Sequence, residues 1–569
     1  MLGRRRKLRY GGGGETVIGL LLGCALLVAA PAHGDTSDTV HYVLTPLPEV
    51  GRLRVEVTWF TRGRTASAAL VSPRWGTVDD VPALLRGLQF GGEVRRVERQ
   101  QSRWILHHPH DATITCSYEV DPGRRRLDWT GPHYPVTTPT FFHGMGNAFL
   151  LTPQGGGGLP ELYDVTLRWK LPEGWRATCS WGNGPHIGAQ ISPDDVRHST
   201  YLAGEIDVRT VERDGLKVSV ALRDRFRFSA DEFAELAATI VAHQCRFMDE
   251  RDFPPFLVVA VPVGEPIGRD ESHLVGMGLF QSFVLFAAPA SALTDGFESL
   301  FSHELFHHWN GRVLKAQQPD RLAYWFVEGF TEYYALRILY ESGHWSADTY
   351  AKWINRHLRD YHNNPARNAT NQDILERYWQ ERNTVGEVAY QRGVLLGLRW
   401  HRMARERSGP DGLDRLFKTL VERGRPGGFE VSNKEIRRVG VQTLGRWFGE
   451  EFDRFVTEAR TVDVPLDALE PQLIGAYEQI HTYELGFDAR RAASEKRAIG
   501  VVRGSAAERA GLREGDELAA ARVHSDPGQL IELRVRRAGQ LETIRYYPRG
   551  RQTHALQFRP APNGASPGG

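Results

Sequence analysis

The chain has 569 residues, which is too long for one ordinary hydrophobic core, so we expect three or four domains. Charged residues make up 25% of the sequence and apolar residues 41%, which is the profile of a soluble globular protein. The net charge is only +2, and the basic residues are spread and balanced by acids. This pattern excludes the basic surface of a nucleic-acid-binding protein.

The first 34 residues have the three parts of a secretory signal peptide. Basic residues occupy 4–7, an apolar run of 14 residues follows at 17–30, and small residues stand at 32 and 34. We therefore expect residues 1–34 to be cleaved and the protein to be periplasmic or secreted. The alternative is an uncleaved leader that anchors the chain to a membrane, but 14 apolar residues are short of the ~20 that a span needs.

Four cysteines raise the question of lipid attachment and of disulfides. Cys24 stands in the apolar run of the leader, where a lipoprotein cysteine can lie. Removing the leader leaves Cys116, Cys179 and Cys245, and an odd number excludes a fully paired framework. Cys116 and Cys179 can pair in an oxidising compartment, or all three can be separate buried thiols.

Residues 35–225 show the period of two that is typical of half-buried strands. In "RLRVEVTWF" the apolar residues Leu53, Val55, Val57 and Trp59 alternate with polar ones, and Gly- and Pro-rich turns separate similar segments. The pattern predicts an N-terminal antiparallel domain resembling a β-sandwich.

The pattern changes to mostly helical segments over 226–470. Ser229 followed by Glu232 is a capping box that opens the first helix, and "PFLVVAVPV" predicts a buried strand after it. This region predicts one α+β catalytic unit with a helical lobe. Short strands return over 478–560, and the tail 561–569 is expected to be disordered.

The segment "FSHELFHHWN" at 301–310 predicts a metal site on a helix. His303 and His307 are four residues apart, so both imidazoles leave the same helix face and can bind one ion. Glu304 is rotated by about 100° from His303, so it can take a proton from a bound water without ligating the ion. His308 is off that face and is not counted as a ligand.

The start of this helix and its core face are also predicted. Asp295 followed by Glu298 fits a capping box at the N-terminus. Phe297, Phe301 and Leu305 follow one another at i, i+4 spacing and can face the core.

A third ligand follows in the predicted helix "YWFVEGFTEYYALRILY". Twenty residues separate Glu328 from His307, which leaves room for a turn and an antiparallel helix. Two histidines, a glutamate and an open position for water are the arrangement of catalytic zinc, whereas structural zinc sites are closed by four ligands. Glu332, one turn further on, can accept a hydrogen bond from a ligand histidine and orient it. The other interpretation of Glu332 is a surface residue paired with an arginine.

The motifs "HELFHHWN" and "WFVEGFTEYYA" resemble those of the glycyl aminopeptidase family of zinc metallopeptidases. The resemblance covers nearly all of the mature chain. It implies a multidomain α+β protein with an N-terminal β domain, a thermolysin-like catalytic domain and a C-terminal PDZ-like β domain. It also implies that one Zn²⁺ per chain is bound by His303, His307 and Glu328, and that Glu304 is the general base and acid.

A third motif, "AYQRGVLLGLRW" at 389–400, is similar to the tyrosine-x-lysine-glycine segment of the family. The resemblance implies that the phenol of Tyr390 stabilises the oxyanion that forms during hydrolysis. Arg392 stands where the family has a lysine, which keeps the positive charge.

The chain departs from the family where a glutamate is thought to bind the free amino terminus of the substrate. Here the matching residues are Gly278, Leu279, Phe280 and Gln281, with no carboxylate. Either another acid substitutes, with Glu271 as the nearest upstream candidate, or the site does not demand a free amino terminus. We expect the second, an aminopeptidase-like enzyme that also accepts N-blocked or internal peptides.

The C-terminal region resembles a PDZ domain in part. Leu485, Gly486 and Phe487 resemble a carboxylate-binding loop, and 500–518 is similar to the PDZ core. The helix that forms one wall of the peptide groove in a PDZ domain is reduced or missing over 519–539. Capture of a peptide C-terminus by this region is therefore a hypothesis only.

Three functions are compatible with these motifs. The leading hypothesis is an exported zinc metallopeptidase that acts on peptides or proteins. A catalytically silent PDZ-type binding protein is the rival from another class, and the presence of the base and all three ligands argues against it. A zinc hydrolase of a non-peptide bond has the same ligand set.

Overall fold

The computed structural model describes residues 39–562, except for 125, 128–130, 155–161, 224–225, 264–273, 290, 426, 428 and 524–525. The predicted leader at 1–34 and most of the predicted tail at 561–569 therefore lie outside the described residues. Within the part of the chain that is described, no helix combines the length and apolar character needed to cross a membrane.

The N-terminal region consists of three sheets that share one hydrophobic core. The predicted alternation in the second strand is confirmed, since Leu53, Val55, Val57 and Trp59 are each at most 4% exposed. In sheet order the six-stranded sheet contains His186–Ile191, Tyr163–Trp169, Thr39–Leu47, Arg52–Phe60, Thr113–Val120 and Leu85–Gly92. The four-stranded sheet contains Thr152–Gln154, Ala66–Leu70, Arg103–His107 and Arg96–Gln100. The five-stranded sheet contains Gly182–Asn183, Arg176–Cys179, Thr200–Gly204, Phe141–Met145 and Val136–Thr137.

The predicted antiparallel arrangement holds for the pairs of these three sheets with one exception, which is the parallel pairing of Thr39–Leu47 with Tyr163–Trp169. Short helical turns at Pro82–Leu84, Gly146–Ala148 and Pro193–Arg197 connect the strands. Cys116, Cys179 and Cys245 are free and buried, so the structure shows three separate thiols rather than a disulfide. Burial raises the pKa of each thiol to about 12, which keeps them protonated and unreactive.

A fourth sheet, of mixed direction, belongs to the region that the sequence predicts to be the catalytic unit. Its order is Asp207–Arg213, Leu216–Leu222, Phe256–Pro262, Ser282–Ala287 and Leu274–Leu279. The three central strands are parallel, and helix Ala230–Phe247 makes the crossover between the first two of them, with the predicted capping box of Ser229 and Glu232. The boundary predicted at 225 cuts through this sheet, because Leu216–Leu222 before it pairs with Phe256–Pro262 after it. Leu274–Leu279, here called the edge strand, is antiparallel and closes one side.

Helices dominate from 295 to 457. They are Asp295–Phe306, Tyr324–Val327, Gly329–Glu341, Ala347–Asn363, Asn371–Arg377, Glu387–Ser408, Gly412–Gly424, Asn433–Leu444 and Arg446–Phe452. Shorter helical turns are His308–Val313, Asp320–Ala323, Arg382–Gly386 and Asp453–Thr457, and two short strands, Lys315–Ala316 and Glu430–Val431, pair in parallel. Three of the helices position the site: the HExxH helix (Asp295–Phe306, with His307 as its C-cap), the glutamate helix (Gly329–Glu341, with Glu328 as its N-cap) and the tyrosine helix (Glu387–Ser408).

The C-terminal region contains a long antiparallel strand pair, a three-stranded sheet and two short helices. These are Leu473–Tyr483 with Arg549–Pro560, then Glu517–Arg522, Ile531–Arg537 and Gln540–Tyr546, then Ala489–Glu495 and Ala506–Arg509. The long pair is fixed to the helical lobe, since Asn355 donates to the carbonyl of Phe558 at 2.8 Å and accepts from its N–H at 2.7 Å. Leu473, Leu556 and Phe558 also belong to the core of that lobe.

Two glycines set the spacing between the glutamate helix and the tyrosine helix. A Cβ added to Gly329 would lie 2.5 Å from Cα of Gly393 and 2.6 Å from the carbonyl oxygen of Ala389. A Cβ on Gly393 would in turn clash with the backbone of Trp325 and Gly329. Since Glu328 and Tyr390 lie next to this contact, the close approach brings both side chains to one place.

We therefore expect Gly393→Ala to destabilise the protein by about 1–3 kcal/mol, because the added methyl group forces the two helices apart. Gly188→Ala is the matched control, since the nearest atom to its added Cβ is 3.9 Å away. The measurement is the apparent melting temperature of both variants. Equal melting temperatures for wild type and Gly393→Ala would show that the helices do not depend on this contact.

Candidate metal centre

The HExxH helix begins one residue before the predicted position. Thr294 is the cap, and its hydroxyl accepts the N–H of Phe297 at 3.3 Å. Asp295 is the first helical residue rather than the cap. Phe297, Phe301 and Leu305 are at most 1% exposed, so the predicted core face is confirmed. This packing fixes the rotation of the helix and turns the opposite face toward the cavity.

The helix ends at His307, and the turn His308–Val313 redirects the chain. Asn310 in this turn is completely buried and its side-chain amide donates three hydrogen bonds to the segment that carries Glu328. The acceptors are the carbonyl oxygens of Phe326 and Val327, at 2.9 and 3.2 Å, and the hydroxyl of Thr331, at 3.1 Å. The turn therefore connects the two histidines rigidly to the glutamate.

The structure brings His303, His307 and Glu328 together. The two Nε2 atoms are 3.1 Å apart, and Oε2 of Glu328 lies 3.4 Å from Nε2 of His303 and 3.5 Å from Nε2 of His307. Among the described residues, these three form the only group of histidine, cysteine and carboxylate side chains that could hold a metal ion. His308 is outside the group, and its ring packs 4.7 Å from that of Phe253.

The hydrogen bonds of the other ring nitrogens set the tautomers. Nδ1 of His307 lies 3.1 Å from the carbonyl oxygen of Asn310, which can only accept, so this Nδ1 carries a proton. Nδ1 of His303 lies 2.8 Å from the Glu332 carboxylate and donates in the same way. Both Nε2 atoms therefore present lone pairs to the same point, beside a carboxylate oxygen.

This donor set fits a zinc ion. Tetrahedral zinc with ligand distances of 2.0–2.1 Å requires ligand atoms about 3.3–3.4 Å apart, close to the separations of 3.1–3.5 Å found here. Two lone pairs at 3.1 Å repel each other unless a cation lies between them. Burial lowers the pKa of His303, but the hydrogen bonds to Glu328 and Glu332 outweigh it and raise that pKa to about 10.

Glu332 connects the site to a residue that sequence reasoning missed. Its Oε2 accepts from His303, and its Oε1 lies 3.1 Å from Nε2 of His357 on helix Ala347–Asn363. Burial raises the pKa of Glu332, but the hydrogen bonds to His303 and His357 outweigh it and hold the pKa below its usual range. An ionised Glu332 keeps His303 in the orientation that a metal ligand needs.

Glu304 lies beside the triangle and is held by the edge strand. Its Oε2 accepts the backbone N–H of Gly278 at 2.9 Å. A Cβ on Gly278 would lie 3.1 Å from that oxygen, so a glycine leaves the room for the carboxylate to approach the strand. Within the described part of the chain Oε1 of Glu304 has no hydrogen-bond partner, which leaves it free for a water molecule.

Tyr390 faces the cluster, and its ring lies 5.9 Å from that of His303. Its hydroxyl is 3.5 Å from that of Tyr378, another residue that the sequence did not single out. Burial, and then the charge of Glu328, raise the pKa of Tyr390 well above its usual range, so the phenol stays a donor. Arg392 is completely buried and points elsewhere, because it donates to the carbonyls of Arg367 and Ala369.

A cavity of about 380 Å³ is lined in part by Glu304, His307 and Glu328. Phe280, where the resemblance predicts the amine-binding carboxylate, is one wall and is only 9% exposed. The guanidinium carbon of Arg312 lies 4.4 Å from the centre of its ring. Gln281 turns the hairpin with φ of 45° and also lines the cavity. The alternative acid, Glu271, lies outside the described residues.

If His303, His307 and Glu328 form the metal site, His307→Ala will lose nearly all bound zinc, because one of the three ligands is gone. His308→Ala is the matched control and will keep one zinc per chain, since this neighbour packs against Phe253 instead. Elemental analysis of the purified variants measures both. Equal zinc in His307→Ala and wild type would contradict the assignment.

Comparison with solved structures finds proteins of similar fold. The fold is similar to that of an aminopeptidase N family protein from Idiomarina loihiensis, with a TM-score of 0.65 and 16% identity over 91% of this chain and 98% of that chain. An M1 zinc metallopeptidase from Deinococcus radiodurans has a TM-score of 0.48 and 14% identity, over 75% of this chain and 95% of that chain. At such identities the first likeness shows the fold alone, a mixed α+β multidomain fold of the aminopeptidase N type.

No curated protein matches the sequence. Residues 296–395, which include both histidines, Glu304, Glu328, Glu332 and Tyr390, match the model of the M61 glycyl aminopeptidase family. The resemblance inferred from the motifs is confirmed over this segment, which is similar to the M61 glycyl aminopeptidase family.

Proposed function

We propose that the protein is an exported zinc metallopeptidase that hydrolyses peptide bonds. The observation that carries the proposal is the convergence of His303, His307 and Glu328 within 3.5 Å of one another, with Glu304 beside them at an open cavity. Three ligands with one position left for water are typical of catalytic rather than structural zinc.

When bound, zinc supplies a water with a pKa of about 7 and polarises the scissile carbonyl. Glu304 takes the proton of that water on Oε1 and delivers it to the leaving amine, while the N–H of Gly278 holds Oε2 in place. Because the edge strand is part of the sheet, the position of the base is set by the fold and not by the substrate.

Tyr390 donates its phenolic proton in a hydrogen bond to the oxyanion of the attacked carbonyl. The raised pKa keeps the proton on the oxygen at every physiological pH, and the half-buried position limits competition from water. Tyr378 supports it from the side, with the two hydroxyls 3.5 Å apart.

The substrate specificity that we propose is relaxed at the amino terminus. A buried α-ammonium group costs several kcal/mol unless a carboxylate accompanies it. Phe280 supplies none, and its backbone N–H donates to the carbonyl of His198 at 2.8 Å, so the hairpin is fixed against the N-terminal region. N-blocked and internal peptides are therefore acceptable substrates in this proposal.

Export rests on the sequence of the leader, and the domain boundaries other than the one at 225 likewise rest on the sequence alone. The PDZ-like assignment of 478–560 is supported by the loop Leu485–Gly486–Phe487, in which Gly486 has φ of 86° and accepts the N–H of Val502 at 2.8 Å. The described residues between 523 and 530 contain no helix that could form a groove wall. Peptide capture by this region is therefore not part of the proposed function.

The two other functions differ from this proposal in what they predict for peptides. A silent binding protein would bind peptides without hydrolysing them, although Glu304, both histidines and Glu328 are all in place. A hydrolase of a non-peptide bond would leave peptides intact and cleave an ester or amide of another kind. A peptide-library digest with added zinc, analysed by mass spectrometry, separates the three.

Glu304→Gln separates metal binding from chemistry. The variant keeps all three ligands, so it is expected to hold zinc like wild type and to lose turnover by about 10²–10⁴-fold, because the group that moves the proton is gone. Peptide hydrolysis and zinc content are measured on the same preparation, with the exposed Glu450→Gln as the control. Turnover at the wild-type rate would remove Glu304 from the mechanism.

A pair of identical peptides, one with a free amino terminus and one N-acetylated, tests the relaxed specificity. We expect their kcat/KM values to agree within about tenfold, since no carboxylate faces the amine at Phe280. A loss of more than about a hundredfold on acetylation, roughly 2.7 kcal/mol, would contradict the prediction and reveal an amine-binding acid elsewhere.

A further inference from the structure

A positively charged side chain stands at the wall of the metal cavity. Arg312 belongs to the turn after the HExxH helix, and its backbone N–H donates to the carbonyl of His307 at 3.0 Å. Its guanidinium carbon lies 4.4 Å from the centre of the Phe280 ring. Arg312 and Phe280 line the same cavity as Glu304 and Glu328. The charge is therefore beside the reacting groups, and its backbone is fixed to a metal ligand.

The guanidinium is held before any substrate arrives. It stacks on Phe280, and Nη2 donates to Oδ1 of Asp195 at 3.1 Å. Asp195 is itself fixed, since its other oxygen accepts the hydroxyl of Ser192 at 2.8 Å. An immobilised guanidinium loses little entropy when it binds an anion, which makes it a favourable recognition group.

Most donors of this guanidinium remain free. Arginine has five N–H donors, and across the described residues Asp195 provides the only side-chain or backbone acceptor that Arg312 reaches with its side chain. The side chain is 39% exposed, so the remaining donors are accessible from the cavity. The planar fork of a guanidinium matches the two oxygens of a carboxylate.

The acids of the cavity do not cancel this charge for an incoming ligand. Glu328 is a metal ligand and Glu304 the base in the proposed function, so both are engaged. Asp320 also lines the cavity and accepts the hydroxyl of Tyr324 at 3.4 Å. It is the rival that could attract a positively charged group of the substrate instead.

We propose that Arg312, stacked on Phe280, binds a carboxylate of the substrate, so that the protein prefers peptides that carry an acidic group close to the cleaved bond. The carboxylate can come from an aspartate or glutamate side chain or from the C-terminus of a short peptide. This inference rests on the proposed peptidase function and specifies its substrate class.

The test uses peptides in which glutamine is replaced by the isosteric glutamate, one position at a time, on both sides of the cleaved bond. Each peptide is prepared both with a free and with an amidated C-terminus, so that side-chain and terminal carboxylates are tested separately. Zinc-loaded wild type is expected to show a kcat/KM for one acidic member that is roughly ten- to hundredfold higher than for its neutral partner. In Arg312→Gln this ratio falls toward one, and Arg312→Lys keeps part of it because the charge remains without the fork.

Asp195→Asn distinguishes substrate recognition by Arg312 from a purely structural role of the Arg312–Asp195 ion pair, which links the N-terminal region to the helical region. If Arg312 recognises the substrate, Asp195→Asn keeps or increases the acid preference, because a competing carboxylate is removed. If the pair is only a tether, both variants lower the melting temperature alike and leave the ratio unchanged. Arg446→Gln, at a side chain that is 93% exposed, is the surface control and keeps the wild-type ratio.

Binding is measured separately on zinc-loaded Glu304→Gln by calorimetry, with the same peptide pairs. A tighter Kd for the acidic member, lost when Arg312→Gln is added, supports the inference even if wild type hydrolyses no peptide, so the two proposals can fail independently. Equal kcat/KM and equal Kd for acidic and neutral members at every position would overturn it. A preference for a free α-amine that disappears in Asp320→Asn would overturn it as well, in favour of Asp320.

Discussion

The repulsion between two imidazole lone pairs is the constraint on which the rest of the site depends. Both Nε2 atoms, 3.1 Å apart, are lone-pair donors because the opposite nitrogens give their protons to Glu332 and to the carbonyl of Asn310. Such an arrangement is stable only with a cation at the point of convergence. Holding the two rings this close costs free energy of folding, and the surrounding hydrogen bonds and packing offset that cost.

That compensation comes from three directions. Aromatic and aliphatic packing fixes the HExxH helix from its core face, and the amide of Asn310 ties the following turn to the chain before the glutamate helix. The contact of Gly329 with Gly393 brings the tyrosine helix close, so that Tyr390 reaches the cluster. Each of these is a rigid element rather than a mobile loop, which suits a site that must keep its geometry through many turnovers.

Glu304 and Arg312, which line the same cavity, are held by different parts of the fold. Glu304 is held by the edge strand through Gly278, whereas Arg312 is held by Asp195 of the N-terminal region and by Phe280 at the end of that strand. The N-terminal region therefore contributes to the cavity, since His198, next to the turn that carries Asp195, is one of its lining residues. The N-terminal β region thus helps to form the cavity, although it contains none of the candidate metal ligands.

The candidate ligand set was predictable because it is local. His303, Glu304 and His307 follow from helical periodicity, and Glu328 with Glu332 from a second helix at a suitable distance. The strand alternation around Leu53–Trp59 and the capping box at Ser229 were predictable for the same reason. The boundary at 225 was not, because the strand Leu216–Leu222 looks like those before it and only its parallel partner shows which sheet it joins.

What the sequence by itself determined is therefore the chemistry: which side chains can bind zinc, which carboxylate can move a proton, and that no carboxylate stands at Phe280. Only the tertiary structure decided the environment of that chemistry. Hydrogen bonds join Gly278 to Glu304 and His357 to Glu332. Another joins Arg312 to Asp195, which lies 117 residues earlier in the chain. The physical reason is that periodicity and capping are properties of neighbouring residues, whereas these contacts arise when separate elements pack, and no local pattern specifies which partners meet.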